Sequence, residues 1–185
     1  MSHIPNQIHQ TWNSALLPEQ GGTLHAAFHV ATDGMLLEAR NAERVALAVT
    51  VSRGSLVVEA PEDHIVLDVE DTYGVQFGGV HDLHITFGDF GTRIYLDGYQ
   101  AFACATNICP SKYAQAGVFH CANEAHIGVE RLECFSEAWT SERIQGSVPV
   151  PQPDIEFAAA YLADKDVKTL HGVTDGTIYA QFRVR

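Results

Sequence analysis

The chain has 185 residues, with 11 Lys and Arg against 23 Asp and Glu, and a formal net charge of −12. Such an acidic surface repels phosphate polyanions, and no strong basic cluster offsets it, which argues against nucleic acid as a partner. No apolar run approaches the ~20 residues that a membrane-spanning helix needs. The length allows one sizeable sandwich, or one domain with a fragment of a second.

Most of the sequence consists of short segments in which apolar and polar residues alternate, a period that predicts half-buried β-strands. In the first, residues 23–30, apolar side chains such as Leu24 lie on one face, and His25 and His29 lie on the other. Residues 1–20 show no such pattern and are predicted to be irregular. Further strands are predicted at residues 35–40, 45–52, 55–59, 64–69, 74–77, 83–88, 92–97, 101–105, 117–121 and 126–135.

The clearest pair of strands is residues 83–88 and 92–97, joined by a turn rich in Gly and Asp and followed by an Asp-Gly hairpin signal. Many short strands separated by turn residues, without a long helical period, predict an all-β fold of antiparallel sheets. Helical turns are predicted only at residues 137–145 and 158–165.

Residues 147–153 contain three prolines and read as an extended linker. They separate a first domain, residues 1–146, from residues 154–185. Within the latter, residues 176–184 mirror residues 22–30, which indicates the opening of a second copy. A lone strand cannot bury its apolar face, so this segment is predicted to dock on the first sandwich or to be exchanged between two chains as a homodimer.

Three segments together resemble the laminin-G-like, concanavalin A-like jelly rolls. They are residues 22–28, residues 91–98 with their Tyr-Leu-Asp-Gly ending, and residues 127–144, which read as a closing strand and a short helix. The resemblance covers residues 16–146. At the place of a buried leucine of these domains the chain has Trp139, for which core packing is therefore expected.

Within that superfamily, the chain is most similar to the sialic-acid-binding modules that accompany sialidases. The resemblance implies an all-β, concanavalin A-like jelly-roll sandwich of two antiparallel sheets with a short closing helix. It also implies non-catalytic carbohydrate binding, lectin-like, as a module of a larger glycan-acting protein such as a sialidase. A glycan is then the expected partner.

The chain departs from those modules at the arginines that grip the sialate carboxylate. One of these arginines stands two residues after a strand glutamate, but here Pro61 follows Glu59 at that distance. The other lies in the closing strand, where this chain has Glu130, with Arg131 beside it on the opposite face. Without a bidentate guanidinium, recognition of a carboxylate loses its strongest contact, so the sugar is left open.

Strand parity selects the polar side chains that face away from the core. They are His25, His29, Glu59, Arg93 and Tyr95, and we predict that they form the ligand-binding set on one concave sheet. A tyrosine ring suits the apolar face of a pyranose, and the charged and imidazole groups suit its hydroxyl edge. The alternative class is a structural or protein-interaction domain that assembles through its C-terminal strand.

Acidic residues cluster in the middle of the sequence. Their spacing lacks the Glu-x-Asp-x-x-Glu pattern of jelly-roll glucanases, so the chain is not expected to be catalytic by itself, whatever the parent protein does. A solvated acidic edge and a calcium site both fit such a cluster, and no other cofactor or metal is expected. The cluster consists of Glu59, Glu62, Asp63, Asp68, Glu70 and Asp71.

The four cysteines are Cys104, Cys109, Cys121 and Cys134, without the C-x-x-C spacing of a zinc site. Their pattern allows four core thiols, or two disulfides that pair the first with the second and the third with the fourth. The opening residues lack the basic and apolar regions of a signal peptide, which leaves a cytoplasmic protein or a piece of an exported parent.

Overall fold

A computed structural model describes residues 9–69 and 78–147 of the chain. These residues form two antiparallel sheets of six strands each and two short helices. The prediction of an all-β sandwich with a short closing helix is thereby confirmed. Three parts of the prediction lie outside the described residues: the strand at residues 74–77, most of the linker, and the whole of residues 154–185.

The strands are divided evenly between the two sheets. Sheet 1 has the order β1 (His9–Asn13), β10 (Ala116–Cys121), β3 (Gly34–Arg40), β4 (Val45–Ser52), β5 (Ser55–Ala60) and β6 (Asp63–Asp68). Sheet 2 has the order β11 (Asn123–Glu124), β12 (Ile127–Phe135), β2 (Gly21–Val30), β7 (Val80–Gly88), β8 (Gly91–Leu96) and β9 (Tyr99–Cys104). The helices are α1 (Pro110–Tyr113) and α2 (Ser141–Ser147).

The core consists of apolar side chains from both sheets. Leu24, Phe28 and Ile85 come from sheet 2, and Leu47 and Val58 come from sheet 1. The face predicted to be buried in residues 23–30 is therefore confirmed. Such interdigitation of two inner faces is the usual core of a β-sandwich.

The N-terminal edge of sheet 1 differs from the sequence prediction, because residues 9–13 form a strand where irregular chain was expected. Strand β1 pairs antiparallel with β10. The indole of Trp12 is 1% exposed, and its ring centroid lies 6.3 Å from that of Phe119. This strand has one large apolar side chain among polar neighbours, so its partner far along the chain, and not its own alternation, makes it a strand.

All four cysteines are free thiols, so neither of the two disulfides that the sequence allowed is formed. Burial raises the pKa of Cys109 and of Cys121 to about 11, and that of Cys134 to about 12. Because the thiolate is the reactive form of cysteine, these three side chains act as apolar core groups. Within the described ranges, no helix is long and apolar enough to span a membrane.

We predict that Gly91→Ala destabilises the sandwich by about 3 kcal/mol, as measured by urea unfolding. Gly91 has φ +95°, and an added Cβ would lie 2.0 Å from the carbonyl oxygen of Cys104 on the neighbouring strand. The matched control is Gly146→Ala, where nothing lies within 4 Å of the added carbon. Equal unfolding free energies for the two variants would contradict this account of the β7–β8 turn.

Candidate functional site

A row of polar side chains crosses the outer face of sheet 2. Glu133 is opposite His25, His25 is opposite His84, and His84 is opposite Tyr95. Directly opposed residues of antiparallel strands share one face, and their chain neighbours, such as Leu24, belong to the core. The row therefore faces away from the core. We call the following set the outer layer: His25, Asp82, His84, Tyr95, Arg131 and Glu133.

His25 is the centre of the outer layer. Its Nε2 lies 2.6 Å from Asp82 Oδ1, and its Nδ1 lies 3.0 Å from Glu133 Oε2. Each ring nitrogen of this buried imidazole is thereby paired with a carboxylate. The hydrogen bond from His25 lowers the pKa of Asp82 against the opposing effect of burial. Arg131 lies 3.5 Å from Asp82 and 3.7 Å from Glu133, which balances the two negative charges.

His84 stacks on the ring of His25 and is itself neutral. The two imidazole centroids are 4.1 Å apart with planes 5° from parallel. Burial, and next the charge of His25, lower the pKa of His84 to about 4. Its Nε2 is 3.5 Å from the hydroxyl of Ser147, but its Nδ1 has no partner among the described residues. A catalytic serine–histidine pair needs a group that orients the second ring nitrogen, so this contact does not form a triad.

The segment 137–147 covers part of the outer layer. Thr23 Oγ1 donates to the carbonyl of Glu137 at 2.8 Å and accepts from the backbone N–H of Trp139 at 2.9 Å. The indole then lies 4.2 Å from the ring of Phe135 and 5.7 Å from that of His84. Core packing of Trp139 is therefore wrong, because this hydroxyl holds its backbone against the outside of sheet 2.

The five predicted ligand residues are only partly brought together. His25 and Tyr95 share the outer face of sheet 2 but are 3% and 1% exposed, and the tyrosine hydroxyl has no partner among the described residues. Arg93, on the same face, is exposed and lies 4.6 Å above the ring of Phe90.

The other two predicted residues lie away from the centre of this face. His29 bonds to Glu130 at 3.2 Å and to the carbonyl of Glu124 at 3.1 Å. Glu59 lies on β5 of sheet 1, where it pairs with His64 at 3.1 Å. The expectation that all five residues share one sheet is therefore wrong for Glu59, because strand parity gives the face of a residue but not the sheet to which its strand belongs.

Within residues 9–69 and 78–147, no group of three or more His, Cys, Asp or Glu side chains is arranged to hold a metal ion. In the acidic cluster, Glu59 pairs with His64, and Glu62 bonds to Lys112 at 2.9 Å. Glu70 and Asp71 lie outside the described residues. Calcium at this cluster stays a prediction that no described contact tests.

A cleft of about 720 Å³ opens on the outer face of sheet 1, where β1, β10 and β3 run side by side. We call it the edge cleft. Sequence analysis missed it, because it depends on the pairing of β1 with β10. It is lined by Thr11, Trp12, Asn13, Arg40, Asn41, Ala42, Ala116, Gly117, Val118 and His120.

Two asparagines fix the backbone at the ends of the strands that border the edge cleft. Asn13 Oδ1 accepts the N–H groups of Ala15 at 2.9 Å and Leu16 at 3.0 Å. In the same way, Asn41 Oδ1 accepts the backbone N–H groups of Glu43 at 3.0 Å and Arg44 at 2.9 Å. Such Asx turns hold both side chains in place. Asparagines at the ends of two strands are the sequence signal that could have indicated these turns, and it was not used.

Gly117 allows the three strands to approach closely at the cleft. A Cβ at this position would lie 2.3 Å from the carbonyl oxygen of Arg40 and 2.9 Å from Cε2 of Trp12. Real carbon atoms do not approach that closely, so any side chain here would push the strands apart. The indole of Trp12 and the end of β3 therefore both approach position 117 so closely that only glycine can occupy it.

No family model matches the chain, and no curated protein matches it. Among solved structures, it is similar to NanB plus Optactamide, with a TM-score of 0.57 and 12% identity over 78% of this chain and 27% of that one. It is also similar to Trypanosoma rangeli sialidase in complex with 2,3-difluoro-KDN, with a TM-score of 0.51 and 13% identity over 69% of this chain. The match covers 22% of that sialidase. At these identities the likeness shows the β-sandwich fold, and the chain matches about a quarter of each neighbour's length.

We predict that His84→Phe flattens the dependence of stability on pH between 7 and 4. The pKa of His84 is lowered from 6.5 to about 4 in the folded protein, so the unfolded chain binds its proton first as pH falls. Folding stability is thereby lost between these pH values, by on the order of 3 kcal/mol. Urea unfolding across this range measures the loss. His64→Phe, at an exposed position, is the control and should retain the full slope.

Proposed function

We propose that this chain is a non-catalytic carbohydrate-binding module of a larger glycan-acting protein, built on a laminin-G-like, concanavalin A-like sandwich, with the edge cleft as its sugar site. The observation that carries the proposal is the open cleft of about 720 Å³ with its mixed polar and apolar lining. Small-molecule sites fall in the range of about 300–1,000 Å³ and combine an apolar wall with a few polar groups.

The lining of the edge cleft matches the two kinds of surface that a pyranose presents. Val118 and Ala42 offer apolar contact, and the side chains of Thr11, Asn13 and Asn41 offer hydrogen-bonding groups. Because the two amides are held by Asx turns, little side-chain entropy remains to be lost when a ligand binds. A preformed polar rim of this kind supports binding of a hydroxyl-rich ligand.

The outer layer of sheet 2 supports binding over hydrolysis. Its two carboxylates, Asp82 and Glu133, are both engaged by His25 and approached by Arg131. A glycosidase needs one carboxyl group that holds a proton and another that remains available to the sugar. Two carboxylates that are engaged by their own neighbours supply neither the proton-holding group nor the available one. This favours a binding module, with any catalytic site elsewhere in the parent protein.

The shared fold adds support of a coarser kind. One similar structure is a sialidase, and this chain matches only part of its length. A non-catalytic sandwich attached to a glycan-acting protein is consistent with that proportion. Since fold alone does not determine function, the site has to be tested directly.

The test is binding of the full chain to an array of neutral, sulfated, uronate and sialylated glycans, with two matched variants. We expect a specific signal that Arg40→Gln weakens about tenfold or more, the usual cost of one hydrogen bond to a charged group. Arg93→Gln removes an exposed arginine from the other sheet and should leave binding unchanged. The reverse result would move the site to the outer face of sheet 2, and absence of binding to the whole array would overturn the proposed function.

The second candidate is an assembly domain, and the repeated strand favours it. Residues 178, 180, 182 and 184 are Ile, Ala, Phe and Val, matching the buried Leu, Ala, Phe and Val of β2. That face needs a partner sheet. If the segment is exchanged between chains, light scattering will show a mass that rises to a dimer with concentration. A chain that ends at Ser147 should then stay monomeric, and a full chain that is monomeric throughout would exclude the exchange.

A further inference from the structure

We infer that the edge cleft is a hydrogen-bond-donor site that selects a sulfate ester on the bound sugar. This inference rests on the proposed function, since it names the ligand chemistry of the same cleft.

The two asparagines present donors only. Asn13 Oδ1 already accepts two backbone N–H groups, and so does Asn41 Oδ1. Only the oxygen of an amide can accept, so these contacts also decide which end of each side chain is the NH2 group. The amide nitrogens have no bond to any described residue, and they remain as fixed donors at the cleft.

Arg40 adds a charged donor. One guanidinium nitrogen of Arg40 lies 3.3 Å from Glu38 Oε1, and this is the only ion pair of Arg40 among the described residues, so its other N–H groups are available. The indole of Trp12 belongs to the buried core, where it packs against Phe119, and it is not counted among these donors.

The acceptors of the lining are few. Thr11 has a hydroxyl and His120 an imidazole, each of which can donate or accept, and no carboxylate stands among the residues that line the cleft. Glu38, which stands opposite His120 on the neighbouring strand, is paired with Arg40. In a chain with a net charge of −12, this cleft is a local site for an anion.

The arrangement of donors favours sulfate over carboxylate. A planar carboxylate is best held by the two parallel N–H groups of a guanidinium, but part of the Arg40 fork faces Glu38. The remaining donors are the NH2 groups of the two asparagines and the rest of the guanidinium, which belong to separate strands and turns. A sulfate ester has three terminal oxygens that accept from several directions, whereas a neutral hydroxyl would leave most of these donors unpaired.

The experiment titrates the full chain with three matched glycans that end in sulfated galactose, galacturonate or galactose. We expect the sulfated glycan to bind at least tenfold tighter than the other two. The variant Asn13→Asp, Asn41→Asp keeps both oxygens that accept the turn N–H groups, but replaces the donors by negative charge. It should lose at least tenfold in affinity for the sulfated glycan while retaining the unfolding midpoint.

The control is Gln100→Glu, which makes the same change from amide to carboxylate at an exposed position of sheet 2 and should bind as the parent does. If the double variant unfolds, Asn41→Asp alone serves in its place. Equal affinity for sulfated galactose and galactose, tighter binding of galacturonate, or full binding by the variant would each overturn the sulfate inference and leave the proposed function standing. Absence of binding to any glycan, including the full array, would overturn both.

Discussion

Strand β2 has to bury both of its faces, and the organisation of sheet 2 depends on this constraint. It lies between β12 and β7, with Leu24 and Phe28 in the core. Its opposite face carries Thr23 and His25, which are almost completely buried. Asp82 and Glu133, on the two flanking strands, supply a partner for each ring nitrogen of His25. The charges of the outer layer are thus consequences of pairing β2 on both sides.

This balance also decides what the outer layer can do. His25 and Arg131 lie against the two carboxylates, Asp82 and Glu133, and occupy the oxygens that face the centre of the layer. The segment after β12 lies over the layer, and Thr23 holds its backbone. The centre of the face that strand parity suggested for a sugar is therefore largely covered, while Arg131 and Glu133 stay partly exposed beside it. An open polar surface lies at the edge of sheet 1.

Alternation in the sequence predicted most of the strands because it reports a local property, the side of the pleat to which each residue points. It placed His25 and Tyr95 away from the core correctly. It did not show that Glu59 belongs to the other sheet, or that the chain after β12 returns over the outer face. It also missed β1, whose partner β10 is distant in sequence. Each failure concerns a contact between distant segments, and the edge cleft is made of such contacts.

In the proposed site at the edge cleft, two turns set which polar groups face a ligand. The oxygen of each asparagine ends a strand by accepting two backbone N–H groups, and this leaves the amide nitrogen pointing in a fixed direction. The backbone thereby sets the polarity of the site, independently of the net charge of the chain. Gly117 adds the close approach that brings Trp12 to the same lining. A ligand that bound to these groups would require little reorganisation of side chains, because folding has already ordered them.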